Sequence, residues 1–375
     1  MRTQLINSDG RHASFAVKWG GTWGALSLAL LLGGVNAACV NLRPPPPPQS
    51  PETAGNAPAQ VWTARTGRRF TSPVIRDGDM LYAGAVDRKV YAVDLSSGVI
   101  RWSTRLSGIV GGGVLASGDT LFVATSRPDG KVFALERNTG KRIWRTSTGA
   151  IDAPLALARG VLVAATQRGV LLGINPRTGE IAWRQRLGTA RVAPAAAGED
   201  VLVIATIDSL FRVVVTDGRV THRVGSPGTV LSPWIPFGGG LVAGTTDSLV
   251  FSIRADDLSQ QWSVRVDAPV LGSPAAKGDT LFAVSRRGSL YRIVPADGDS
   301  AHRIAELRWP VTAPVTVLGD QILLGGADGS IRALRSDGHE LWRVQLWRPV
   351  ELGPVPLADG LLAIGGDGDL HRYRQ

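Results

Sequence analysis

The chain is poor in the residues that carry redox, metal and disulfide chemistry. Its 375 residues include one cysteine, two methionines, four tyrosines and five histidines. A single cysteine excludes an internal disulfide, a cysteine-rich zinc site and a haem attachment pair. No apolar run approaches the ~18 uninterrupted residues of a membrane-spanning helix. Acid is also short, with 31 Asp+Glu against 41 Lys+Arg and a formal charge of +10. Most of the cations are arginines scattered along the sequence. That pattern reads as a solvated surface tolerant of anionic partners rather than a nucleic-acid site. With 44% hydrophobic residues the chain folds rather than staying disordered. Its length suits about two average domains or one large all-β domain.

The first 38 residues read as an address. Arg2, Arg11 and Lys18 precede a short apolar stretch, Ala25 to Leu32, which breaks at Gly33-Gly34 and runs into small residues. This is the order of a secretory signal, and no Arg-Arg pair marks it as a twin-arginine signal. The only cysteine, Cys39, follows Val35-Asn36-Ala37-Ala38, an arrangement that resembles a bacterial lipobox with Asn36 in place of the usual Leu or Val. Two outcomes are open: lipidation of Cys39, or ordinary cleavage after Ala37 or Ala38. Residues 39–58 carry seven prolines between Pro44 and Pro58, a semi-rigid spacer suited to a tether.

From residue 59 onward one unit is read eight times. Pro73 recurs as Pro154, Pro194, Pro233, Pro274, Pro314 and Pro354, with Gly113 in the second place, at steps of 40, 41, 40, 39, 41, 40 and 40. Trp62, Trp102, Trp144, Trp183, Trp262 and Trp342 form a second series completed by His222 and His302, at steps of 40, 42, 39, 39, 40, 40 and 40. Two independent markers agree, and a period of this length decides the architecture. Each unit holds four short β-branched and aromatic runs separated by Gly, Asp, Asn and Pro. Asn138-Thr139-Gly140, Arg177-Thr178-Gly179, Asp217-Gly218, Asp297-Gly298 and Asp337-Gly338 fall between the third and fourth runs. There glycine supplies the positive φ of a tight turn. No 3.6-residue periodicity is present, so the prediction is an all-β, eight-bladed propeller of four-stranded blades over residues 59–375.

The two series are out of phase in a useful way. The tryptophan series begins before the first proline, and the last unit ends without a fourth strand. The orphan segment Gln60 to Gly67 therefore supplies the fourth strand of blade 8 and closes the ring, with Val61 to Ala64 beside the strand ending at Tyr373. Closure leaves no open edge for another chain to pair with.

The glycine followed four residues later by tryptophan (Gly98 to Trp102, Gly140 to Trp144, Gly179 to Trp183) resembles the pyrroloquinoline-quinone-type propeller repeat, over essentially all of residues 59–375. Within that class, an exported single eight-bladed propeller resembles the BamB family, the lipoprotein subunits of the outer-membrane β-barrel assembly machinery. The resemblance implies a non-catalytic scaffold at the periplasmic side of the outer membrane, monomeric within a complex. It also implies a barrel-inserting subunit as partner, no cofactor and no nucleic acid. A soluble periplasmic protein is the alternative location. Two alternative functions come with the fold: an exported quinone- or ligand-binding propeller, and a sensor or adhesion module.

Quinoprotein dehydrogenases resemble this fold, but they carry a calcium-held quinone and are usually much longer. Units of 39 to 42 residues leave no room for insertions that build a cofactor chamber. His12 lies in the signal, His222 and His302 read as partly buried substitutes for tryptophan, and His339 and His371 have no partner at ligand spacing. The six series tryptophans read as inter-blade packing anchors.

A candidate binding face follows from strand order. Turns between second and third strands emerge on the same side as the loops between blades. Trp309, Trp347, Arg308 and Arg348 fall in such loops, and Trp234 directly follows one. Arg127, Arg168 and Arg287 occupy second-to-third-strand turns. Exposed Trp and Arg are enriched in binding hot spots, and these eight are the candidate partner-binding residues. Inward packing of the tryptophans against blade edges is the structural alternative.

Overall fold

A computed structural model describes residues 57–190, 193–198, 200–295, 300–307, 309–311, 313–346 and 348–375. The secretory segment, Cys39, most of the proline-rich spacer, Arg308 and Trp347 lie outside the described residues. Every described residue falls within the compact unit Pro47–Gln375.

Among the described residues there are thirty-two strands in eight four-stranded antiparallel sheets, and no helix is long and apolar enough to cross a membrane. Blade 1 comprises Ile75–Asp77, Met80–Gly84, Lys89–Asp94 and Ile100–Arg105. Blades 2 to 7 repeat this order in sequence. Blade 8 consists of Val355–Leu357, Gly360–Ile364 and Leu370–Arg374, and its fourth strand is the N-terminal Ala59–Ala64. Ala59 pairs with Arg374, Gln60 with Tyr373, Trp62 with Arg372, Thr63 with His371 and Ala64 with Leu370. A bulge between Gln60 and Trp62 leaves Val61 outside the register, and Val61 is exposed. The predicted clasp is present, displaced at this one residue.

Second and third strands are apolar at consecutive positions because both of their faces are buried. In blade 1, Leu81, Ala83, Tyr91 and Val93 pack with Leu362, Ile364 and Leu370 of blade 8. Tyr82, Val90 and Ala92 point the other way, onto Leu121, Val123 and Phe133 of blade 2. Eight such layers, each made by two neighbouring blades, constitute the core.

The repeat glycine and tryptophan belong to one another across a blade boundary. The indole of Trp102 donates to the Arg137 carbonyl at 3.1 Å, in the third-to-fourth-strand turn of the next blade. Trp62, Trp144 and Trp183 do the same onto Leu95, Pro176 and Val215. The turn glycine lies beneath the ring: a Cβ on Gly140 would stand 2.5 Å from Trp102, and one on Gly98 2.7 Å from Trp62. Positive φ and lack of a side chain are thus both required at this place. Gly140→Ala should destabilise the fold by about 2–4 kcal/mol, from left-handed backbone strain plus overpacking. Gly160→Ala, at a similar φ with nothing within 4 Å of the added carbon, should cost only about 1 kcal/mol. Denaturant unfolding of the two variants reads the difference.

The exceptions obey the same logic. Blade 4 carries His222 in the tryptophan place, and the glycine place of blade 5 holds Leu258, buried, at φ 63°. Blade 8 has no third-to-fourth-strand turn, because its fourth strand comes from the other end of the chain. Trp342, at the end of the series, instead donates to Gln321 of its own blade at 2.9 Å and is fully buried.

Candidate interaction face

Antiparallel strands put second-to-third-strand turns and inter-blade loops at one end of the blades, the upper face. Those upper turns are stapled by a buried hydroxyl at the end of the second strand. Thr125 Oγ1 donates to the Asp129 carbonyl at 2.8 Å and accepts from the Lys131 amide at 3.0 Å. Thr166, Thr206, Thr245 and Ser285 occupy the same place, each buried and each accepting a backbone N–H of its own turn. Rigid turns of this kind present the residues at their tips with little conformational freedom to lose on binding.

Arg127, Arg168 and Arg287 stand at three such tips, and Arg348 in the loop between blades 7 and 8; all four are exposed. No carboxylate holds any of them in an ion pair among the described residues. Arg287 makes one long bond, 3.4 Å, to the Asp267 carbonyl. Between them the tips of blades 4 and 5 carry Asp208 and Asp247, and Asp129 shares the turn of Arg127, so the face mixes charges of both signs.

The tryptophans differ from expectation. Trp234 and Trp309 are half-buried, and the indole nitrogen of each is buried without a hydrogen-bond partner. Trp234 packs edge-on to Phe251 at 5.6 Å in the layer between blades 4 and 5. Trp309 belongs to the layer between blades 6 and 7. Those are the two layers whose series tryptophan is replaced by histidine. Trp62, Trp102, Trp144, Trp183, Trp262 and Trp342 occupy the other six layers, so each layer holds one tryptophan among the described residues. Trp234 and Trp309 therefore restore apolar volume that an imidazole cannot supply. His222 and His302 are themselves exposed rather than partly buried, bonded only to Thr221 and Ser300, because the shorter ring cannot reach over the next blade.

One buried cation escaped the sequence reading. The third strands align Tyr91, Phe133, Leu172, Phe211, Phe251 and Tyr291 at one position, where blade 7 carries Arg332. Its side chain is 7% exposed, pairs with Glu340 at 2.8 Å and lies 3.8 Å from the Trp309 ring centroid. Burial lowers its pKa, opposed by Glu340. Trp309, Asp267, Pro269, Arg286 and Arg287 line an open cleft of about 580 Å³. A second, smaller cavity of about 220 Å³ sits at the closure, lined by Thr63, Arg65, Arg348, Asp367 and His371. His371 bonds Thr63 Oγ1 at 3.1 Å, and burial holds its pKa below the ordinary 6.5 against the pull of Asp369 and Asp367. The unfolded chain therefore takes up this proton more readily, and the clasp loses stability as pH falls below about 6.5. His371→Asn should flatten that part of the pH dependence of thermal unfolding.

Among the described residues no group of three His, Cys, Asp or Glu is arranged to hold a metal ion. The blade architecture is that of the quinoprotein repeat. The chain is an eight-bladed propeller of the pyrroloquinoline-quinone-repeat class.

Comparison with known proteins narrows the class. The family model for outer membrane protein assembly factor BamB matches residues 54–144, 128–235 and 229–350. The chain belongs to that family. It is 26% identical over 348 residues to the BamB of Bordetella pertussis, covering 84% of this chain and 86% of the relative. Identity to the Burkholderia pseudomallei protein is 27% over 324 residues, 82% and 74% covered. The crystal structure of BamB from Moraxella catarrhalis superposes with a TM-score of 0.73 at 15% identity, covering 85% of this chain and 100% of that one. A quinohemoprotein alcohol dehydrogenase from Comamonas testosteroni reaches 0.71 at 12% identity, with 84% and 76% covered. These two likenesses concern the fold alone, which occurs in BamB and in a dehydrogenase alike.

Proposed function

We propose that this protein is a non-catalytic scaffold for the assembly of outer-membrane proteins, working through protein–protein contacts on the upper face. The observation that carries the reading is the set of four exposed arginines, Arg127, Arg168, Arg287 and Arg348, none in an ion pair among the described residues, set on turns and loops of one face. Such groups have no internal ion pair to break on meeting an acidic partner, gain charge-assisted hydrogen bonds, and accelerate encounter. The cleft beside Trp309 offers an apolar wall within reach of Arg287. The partner is a barrel-inserting subunit of the assembly machinery, and the propeller is held near it by a lipid on Cys39 through the proline-rich spacer, as a monomer within the complex at the periplasmic side of the outer membrane. Affinity purification from detergent-solubilised membranes tests the reading. Co-purification of a large barrel protein with periplasmic repeats is the expected result. Recovery of the propeller alone, or with an unrelated small-molecule enzyme system, would reject it.

A further inference from the structure

Arginines that are scattered in the sequence gather in space, because a 40-residue period lays the fourth strands side by side around the circumference. The fourth strands of blades 1 to 4 read IRWSTR, RIWRTS, IAWRQR and VTHRVG: seven arginines and no acid. Those of blades 5 to 8 read QQWSVR, AHRIAE, ELWRVQ and AQVWTA, with three arginines and two glutamates. The pairing differs as well. In the second half Arg303 is held by Glu306 and Arg343 by Glu340. In the first half Arg101 is held by Asp94, but Arg105, Arg142, Arg145, Arg184 and Arg186 have no ion-pair partner among the described residues. All five are exposed. Side chains alternate along a strand, so with Trp102, Trp144 and Trp183 turned to the next blade, Arg105, Arg145, Arg184 and Arg186 stand on the solvent side. Besides Asp94, Glu136 and Glu180 lie at the lower ends of these blades, where they accept from Thr139 and Thr178.

Apolar residues share the band. Among the described residues six large hydrophobic side chains are exposed, and four of them, Val61 at 42%, Val99 at 53%, Ile100 at 38% and Ile143 at 55%, lie on the outer strands and adjoining turn of blades 8, 1 and 2. Isoleucines set among unpaired arginines match an anionic bilayer surface better than an acidic protein. The guanidinium groups meet phosphates while the aliphatic tips enter the headgroup–acyl boundary. The outer strand on which the proline-rich spacer arrives, Ala59–Ala64, is part of this same edge.

We infer that the outer rim of blades 8, 1, 2 and 3 docks on an anionic phospholipid surface, independently of the upper face and of any lipid on Cys39. Closure of the ring and all eight hydrophobic layers lie within the unit beginning at Pro47, so the chain from Pro47 to Gln375 carries the whole fold and lacks Cys39.

The test is sedimentation of this chain with vesicles containing phosphatidylglycerol or with vesicles of phosphatidylcholine alone. Binding to the first and not the second is expected, with loss at about 1 M salt, where the Debye length falls to ~3 Å. Each basic residue near an anionic surface contributes about five-fold, so reversing Arg142, Arg145, Arg184 and Arg186 to Glu should weaken binding by at least ~100-fold. Ile143→Ser should weaken it several-fold at low salt. Reversal of Arg127, Arg168, Arg287 and Arg348 changes net charge equally and should leave vesicle binding near that of the unaltered chain. Absence of binding at low salt, or equal loss from the two quadruple variants, overturns the inference. Neither result bears on partner capture, which is read separately.

Discussion

Removing Ala59–Ala64, so that the chain begins at Arg65, is expected to leave a protein that does not fold stably. The strand supplies the fourth strand of blade 8 in register with Leu370–Arg374. Its loss strips Ala64 and Trp62 from the layer between blades 8 and 1 and frees the Leu95 carbonyl that Trp62 satisfies at 3.0 Å. It also removes the bonds of Thr63 to His371 and of Tyr373 to Gln60. Truncating the half-buried Trp62 costs about 2–3 kcal/mol, and each lost hydrogen bond about 1 kcal/mol more. The total approaches the whole net stability of a typical domain, about 5–15 kcal/mol. An unpaired edge would in addition be open to strand exchange between molecules. Trp62→Ala isolates the tryptophan's part and should cost about 2–3 kcal/mol. Circular-dichroism melting of the chains from Pro47 and from Arg65 is the comparison. A truncated protein that melts within a few degrees of the longer one would mean that the ring does not depend on its clasp.

The second large effect is on binding. Changing Arg127, Arg168, Arg287 and Arg348 together to Glu should leave the melting temperature nearly unaltered, because each is exposed and none is in an ion pair among the described residues. Partner capture should fall by at least ~100-fold, since attraction is lost and like-charge repulsion of several kcal/mol takes its place. Trp309→Ala should behave in the opposite manner. Trp309 packs in the layer between blades 6 and 7 and covers Arg332 at 3.8 Å, so its removal should lower stability first. Isothermal titration of the purified partner against both variants, beside their melting curves, separates the two roles.

The contrast marks how far the sequence alone carries the argument. The period is written in Pro73 and Trp62 and their repeats, and the phase between the two series is enough to place the clasp. Turn chemistry is equally local: Gly98 and Gly140 declare their positive φ by residue type. What a side chain touches across a blade boundary is not local. Trp309 stands in an inter-blade loop by position, and whether it faces solvent depends on Arg332, a neighbour in the following blade. Leu258 at a left-handed φ looks like an error in the pattern until His222, a blade earlier, is seen to leave the space unfilled. Arg332 was detectable by aligning third strands, where it and His371 of blade 8 break a run of Tyr, Phe and Leu. The hydroxyl staples at Thr125 and Thr166 were visible too, but only as a column whose purpose needs the turn geometry. The arginine rim follows the same rule, since its members are some 40 residues apart and meet only when the blades are stacked.

The claim that the upper face carries the protein's function is tested most directly by photo-crosslinking in intact cells. A crosslinking residue is placed singly at Arg168 or Arg287 on the upper face, and at Arg177 or Arg219 in the lower turns. Adducts to a barrel-inserting assembly protein from Arg168 and Arg287, with none from Arg177 and Arg219, are the predicted result. Adducts from the lower turns alone would contradict it.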